Sequence, residues 1–206
     1  MKIIGLTGGI GMGKSTAAAV FRRHKIPVFD ADATVRALQV RHGVAIPPIA
    51  AAFPDVVHDG ALDRAALRAC ILADPDAKRH LEAIMHRLVR AKERQFLARA
   101  RRRRVPMVVL DIPLLFETGA ERRVDVALTV SAPKSVQRAR VRRRGLKDPE
   151  IATIVALQMS DREKRRHADA VIPTGLSRNH MVRTVERLIR AIARSSPAPA
   201  RRRPRR

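Results

Sequence analysis

An α/β fold, with helices packed around a parallel sheet, is what three features of this 206-residue sequence predict. Short, almost wholly apolar runs at residues 1–6, 105–111 and 124–130 read as strands buried on both faces, and long stretches of helical spacing separate them. Two strand ends carry Thr7-Gly8 and Asp111, as expected where a ligand gathers at the carboxyl ends of parallel strands. The length suits one such core with a modest insertion.

The first strand, residues 1–6, runs directly into Thr7-Gly8-Gly9-Ile10-Gly11-Met12-Gly13-Lys14-Ser15-Thr16 and then into the helix-forming Ala17-Ala18-Ala19-Val20-Phe21. Residues 8–15 fit G-x-x-x-x-G-K-[ST], and each fixed position has a reason. Glycines admit positive φ and let the backbone approach phosphate oxygens where a Cβ would intrude. The helix beginning near Gly13 adds unpaired N–H groups and the positive end of its dipole. Lys14 is expected to reach the β- and γ-phosphates, Ser15 to hold Mg²⁺, and Thr16 to sit behind them. The loop therefore predicts a bound nucleoside triphosphate.

That helix is expected over residues 13–24, followed by a short strand at 26–29 and then Asp30-Ala31-Asp32. Both aspartates fall at a strand's carboxyl end, so one is a candidate base toward an acceptor hydroxyl. Asp32 has a second reading, as the cap of a helix over 33–40, and position alone leaves both open. Residues 34–100 show no strand alternation and predict an all-helical insertion. Within it, Ile46-Pro47-Pro48-Ile49 breaks the chain, residues 50–53 make a helical turn, and His58-Asp59-Gly60 makes another turn. Asp63 then caps a helix over 65–72. Asp74-Pro75 opens a longer helix on which Leu81, Ile84, Met85, Leu88 and Phe96 recur at helical spacing. His80 and His86 lie on it without the carboxylate or cysteine partners a metal would need, and Cys70 sits among apolar neighbours as a buried thiol.

Asp111 ends the next strand where a metal-side carboxylate is expected, and residues 112–117 follow as an apolar loop or short helix. After the strand at 124–130, a helix from Pro133 carries Arg138, Arg140, Arg142, Arg143 and Arg144. Arginines beside a triphosphate can neutralise the charge that spreads on a transferred phosphoryl group. A further helix is expected from Asp148-Pro149 to Met159, and another from a Ser160 cap to His167. A strand at 169–172 and an amphipathic helix capped by Ser177 complete the core. From Ser195 the chain is Ser, Pro, Ala and Arg, a composition that predicts disorder.

The formal net charge is +24, with 35 of the 43 basic residues arginine and several of these in runs. Such a field attracts polyanions, yet without tyrosine or tryptophan there is no stacking platform of that kind for nucleic acid. Arginine-rich solvated helix faces together with an anionic substrate account for it. No apolar tract reaches membrane-spanning length, the strand and loop begin too early for an export signal, and a single cysteine precludes an internal disulfide. These features predict a cytoplasmic protein.

The glycine loop, Asp30-Ala31-Asp32 with Arg36, the helix start at residues 63–68, residues 81–86, Pro113-Leu114-Leu115-Phe116-Glu117, and Gln158 followed by Ala168-Asp169-Ala170-Val171-Ile172 together resemble the dephospho-CoA kinase family over residues 1–190. The resemblance implies a P-loop NTPase fold: a five-stranded parallel sheet flanked by helices, with a helical acceptor (CoA) domain inserted and a helical lid. It implies a core of residues 1–33, 102–135 and 168–195, an acceptor domain at 34–101, a lid at 136–167 and a basic tail at 196–206. The implied reaction is ATP-Mg²⁺-dependent phosphorylation of the ribose 3′-hydroxyl of dephospho-CoA. Asp32 matches the family's base, Arg140 and Arg144 its lid arginines, and Arg64, Leu67, His86, Pro113 and Leu114 fall in segments on the acceptor side. A monomer without obligate nucleic acid or membrane partner is expected. Three positions depart from the family: Met12 in place of serine, Arg87 in place of proline, and Thr174 in a segment lacking the usual asparagine. A kinase for another nucleotide or small alcohol, and a basic nucleic-acid-binding ATPase, are the alternatives.

Overall fold

In the computed structural model, which describes residues 1–145, 155–156 and 158–195, the chain forms two compact units, Met1–Phe29 with Ala100–Arg206, and Asp30–Arg99. In chain order the elements are β1 (Lys2–Thr7), α1 (Lys14–Arg23), β2 (Val28–Asp30), α2 (Ala31–Leu38), α3 (Ile46–Ala52), β3 (Val57–His58), β4 (Ala61–Leu62), α4 (Arg64–Ala73) and α5 (Pro75–Arg102). They continue with β5 (Met107–Asp111), β6 (Val126–Ser131), α6 (Lys134–Arg142), α7 (Asp161–His167), β7 (Ala170–Pro173) and α8 (Arg178–Arg194).

The first unit is built on a five-stranded sheet in the order β2-β5-β1-β6-β7. β1 lies at its centre, parallel to β5 with Ile4 opposite Val109 and parallel to β6 with Leu6 opposite Leu128; β6 and β7 are parallel as well. Parallel neighbours require crossover connections, which place helices on the sheet faces, and so the strand interiors are mostly apolar. Ile4, Leu6, Val109, Leu128, Val130 and Ile172 are fully buried, packed with Phe21 of α1 and Val185 of α8. Because the central strands run the same way, Thr7, Asp111, Ser131 and Pro173 all lie at one edge of the sheet. At the strands' amino ends, Ile3 N–H donates to Asp125 Oδ2 and Ala127 N–H to Asp169 Oδ2, each at 2.7 Å. These carboxylates satisfy donors that the ladder leaves over.

The second unit packs Leu38, Ile49, Val56, Leu67, Ile84 and Met85 into its own core. It is not all helical: Val57 and His58 pair antiparallel with Leu62 and Ala61 across the turn at Asp59-Gly60. Two-residue strands are too short for any alternation to register in a sequence. Pro47 and Pro48 do not break the chain either. They occupy the first turn of α3, where no N–H is needed and the fixed φ suits a helix. Cys70 is half-buried against the same core.

The expected caps at Asp63, Ser160 and Ser177 are all present, and Ser160 and Glu163 form a reciprocal capping box. The cap of α2 is Asp30, whose Oδ1 accepts from Ala33 N–H at 2.8 Å, so the reading of Asp32 as a cap is corrected. The expected helix over 148–159 falls largely, and the tail at 196–206 wholly, outside the described residues. Among the described residues no helix is long and apolar enough to cross a membrane.

Asp63 and Glu163 both titrate below the usual carboxylate range, Asp63 through the Ala66 and Ala65 N–H groups and Glu163 through the Ser160 hydroxyl and N–H. A lowered folded pKa gives stability that is present above the unfolded value and lost as pH falls through the folded one. The urea midpoint should therefore drop between about pH 5 and pH 3. That drop should shrink in the Asp63→Ala, Glu163→Ala double variant, as followed by circular dichroism.

Candidate active site

The glycine loop emerges from the buried end of β1 and closes into α1, whose N-cap is Gly13 at φ +91° with no side-chain cap. Gly13 and Gly11, the latter at φ +73°, hold backbone conformations that residues with a Cβ rarely adopt. The loop is also tightly enclosed: a Cβ on Gly11 would come within 2.5 Å of Val141 Cγ2 and 3.0 Å of the Gln137 carbonyl oxygen.

Side chains and backbone groups from three other segments fix the loop. Gln137 of α6 donates through Nε2 to the Ile10 carbonyl at 2.9 Å, and Ile10 N–H donates to Gln158 Oε1 at 3.2 Å. Met12 is buried, and its Sδ accepts from Ala132 N–H at 3.2 Å, just beyond β6. The departure from serine thus leaves the loop intact and ties it to the neighbouring strand. Arg140, half-buried on α6, donates to the Thr174 carbonyl at 2.6 Å and reaches the Gly11 carbonyl at 3.4 Å.

Lys14 Nζ pairs with Asp111 Oδ1 at 2.5 Å, with side-chain exposures of 15% and 4%. The pair joins the first turn of α1 to the end of β5, in a position where solvent screens it little. Ser15 and Thr16 follow on the exposed side of that turn. A cavity of about 380 Å³ opens beside the loop, lined among others by Gly13, Thr16, Arg140, Arg143, Arg144 and Arg178. Concave space, oriented backbone amides at a helix N-terminus and several guanidinium groups make this a site for a polyanion.

Next to it, the segment after β5 is held by a buried lysine. Lys164, 1% exposed on α7, donates to the Pro113 carbonyl and pairs with Glu117 Oε1, both at 2.9 Å. The same Glu117 oxygen accepts from Met159 N–H at 2.8 Å, and Thr7 Oγ1 donates to the Pro113 carbonyl at 2.8 Å. Leu114 is exposed above this network.

The first unit thus brings together the loop, Asp111, Arg140, Arg144 and Pro113. Leu114 also lies in this unit, whereas Asp32, Arg64, Leu67 and His86 belong to the second unit. Asp32 is exposed in the first turn of α2, and His86 is exposed on α5. Arg64 and Leu67 of α4 line one shallow cavity of about 230 Å³ with Gln39, Arg68 and Ile71. Gln137, Lys164 and Thr174 were not legible as site-forming residues. Lys164 is one of seven consecutive polar or charged residues in α7, and nothing in that string marks the one that turns inward. Among the described residues, no cluster of three or more His, Cys, Asp or Glu could hold a metal.

Comparison with known proteins follows the same lines. A family model described as dephospho-CoA kinase matches residues 2–178. The dephospho-CoA kinase of Gluconobacter oxydans is 51% identical over 201 residues, covering 95% of this chain and 100% of its own length. That of Paramagnetospirillum magneticum is 58% identical over 166 residues, covering 80% and 78% respectively. A crystal structure from Thermus thermophilus matches with a TM-score of 0.81 at 37% identity, covering 93% of this chain and 97% of that one.

The Lys164–Glu117 pair makes an asymmetric prediction. Removing one partner leaves the other's charge poorly compensated, so Glu117→Ala should destabilise by about 3 kcal/mol and Lys164→Met, which leaves only the less buried Glu117 carboxylate without its partner, by less. Urea denaturation at neutral pH measures both.

Proposed function

The chain belongs to the dephospho-CoA kinase family, and on that premise we propose how its residues divide the work of phosphorylating dephospho-CoA with ATP in coenzyme A synthesis. The observation that carries this division is the Lys14–Asp111 pair at the foot of a glycine loop whose backbone is held open from outside. Gly8, Gly9, Ile10, Gly11, Met12, Gly13, Lys14, Ser15 and Thr16 bind the triphosphate. The amides supply directed donors, and Lys14 exchanges Asp111 for β- and γ-phosphate oxygens. Arg140 and Arg144, in the proposed lid at 136–167, offset charge that spreads over the transferred group.

Asp32 takes the proton of the ribose 3′-hydroxyl as that oxygen bonds to the γ-phosphorus. The bond from the γ-phosphorus to the β–γ bridging oxygen breaks in line, and ADP leaves. Arg64, Leu67, His86, Pro113 and Leu114 supply the acceptor side, within the proposed acceptor domain at 34–101 and the segment after β5. The hard oxygens of Ser15 and Asp111 suit Mg²⁺, which keeps several waters and phosphate ligands and so needs few protein donors. When bound, Mg²⁺ would neutralise charge between the β- and γ-phosphates. Positioning and electrostatics supply most of the rate, because phosphoryl transfer asks little covalent chemistry of the protein. We place the enzyme in the cytoplasm, acting as a monomer.

An acceptor panel with ATP-Mg²⁺ tests the reading. ADP should form with dephospho-CoA and not with nucleoside monophosphates or shikimate, and should not be stimulated by DNA or RNA; the opposite pattern overturns it. Lys14→Ala and Asp32→Asn should each lower kcat by about two orders of magnitude or more. Near-normal turnover in Asp32→Asn would remove the aspartate from the reaction.

A further inference from the structure

Thr174 lies just past β7, is 5% exposed, and contacts the loop in a way that its place in the sequence does not announce. Its N–H donates to the Ser131 carbonyl at 2.8 Å, extending the β6–β7 ladder by one residue. Its hydroxyl donates to the Met12 carbonyl at 2.6 Å, with the Ser131 carbonyl a weaker second acceptor at 3.3 Å. The same oxygen accepts from Arg140 Nη1 at 3.2 Å, while Arg140 Nη2 donates to the Thr174 carbonyl at 2.6 Å. One side chain therefore uses both its donor and its acceptor capacity between the loop and α6.

We propose that Thr174 is a positioning residue for ATP: through its hydroxyl it fixes the Met12–Gly13 peptide and, with Arg140, sets the aim of the loop amides. The physical link is the planarity of the peptide bond. In a trans peptide the N–H of Gly13 points opposite to the carbonyl of Met12, so a short hydrogen bond holding that carbonyl also fixes the direction of the amide. Glycine has no side chain with which to hold its own peptide, and Gly13 is free to sample positive and negative φ alike. Orientation must come from a neighbour, and Thr174 is in contact range. A Cβ added to Gly13 would lie 3.2 Å from both Thr174 Cβ and Oγ1 and 3.4 Å from Arg140 Nη1. The close fit gives position 174 a role toward the phosphate-binding loop, independent of any contact to the nucleotide base. The inference rests on the reading of residues 8–16 as the triphosphate site.

Initial-rate kinetics on Thr174→Val and Thr174→Ser, varying ATP and dephospho-CoA separately, test it. Valine keeps the shape and deletes the hydroxyl, leaving the Met12 carbonyl with a methyl group for a neighbour. Thr174→Val should raise KM for ATP about tenfold and leave KM for dephospho-CoA within about twofold, the size expected from one lost buried hydrogen bond. Thr174→Ser, which retains the hydroxyl, should stay within about threefold of the wild type in both. An unchanged KM for ATP in Thr174→Val, equal loss in the serine variant, or parallel rises for both substrates would each overturn the proposal. Should the valine variant fail to fold, Thr174→Cys carries the test. Its thiol is a weak donor, so an ATP-selective rise supports the role and an unchanged KM refutes it. A wild-type protein inactive on dephospho-CoA but binding ATP would instead sink the functional reading, leaving the effect of Thr174 to be read from ATP affinity.

Discussion

A loop that must bring bare backbone to a phosphate has few side chains of its own with which to keep its shape. That constraint organises the ligand edge of this protein. Gly11 and Gly13 sit at positive φ, where the freedom that makes the geometry accessible also makes it costly to hold. The compensation comes from outside the loop: Gln137 and Gln158 on Ile10, Ala132 N–H on the Met12 sulfur, Thr174 on the Met12 carbonyl and Arg140 at the Gly11 carbonyl. The parallel sheet is what makes these contacts possible, since β1, β6 and β7 end side by side. Ordering that is complete before a ligand arrives need not be supplied from binding energy.

Buried polar groups follow the same logic. Lys164 is almost wholly enclosed yet has two oxygen partners, and one of them, Glu117, also holds Met159 N–H. A charge in such surroundings is tolerable only when paired and hydrogen-bonded. The result ties α7 to the segment after β5, while Thr7 ties that segment to β1. The Lys14–Asp111 pair is of a different kind, because a lysine on a flexible stem can change partners when a more highly charged anion arrives.

What the sequence disclosed follows from how local each feature is. The strand, glycine loop and first helix are contiguous, and their order can be read without tertiary knowledge. So can the caps at Asp63, Ser160 and Ser177, each set by a short polar side chain ahead of a helix-forming run. Asp30 and Asp32 are two residues apart at the same strand end, and only the hydrogen bond to Ala33 N–H separates cap from non-cap. The β3–β4 hairpin is shorter than any period that could reveal it. Lys164 and Thr174 acquire their partners from segments 51 and 162 residues away, and no local pattern encodes such contacts.

The most direct measurement is a titration of ATP with Mg²⁺ into ¹⁵N-labelled protein, followed through the backbone amide resonances. If the loop grips the triphosphate with its main chain, the largest shift changes fall on residues 8–16. Nucleotide uptake that leaves those amides where they were, or no uptake by folded protein, would contradict the account.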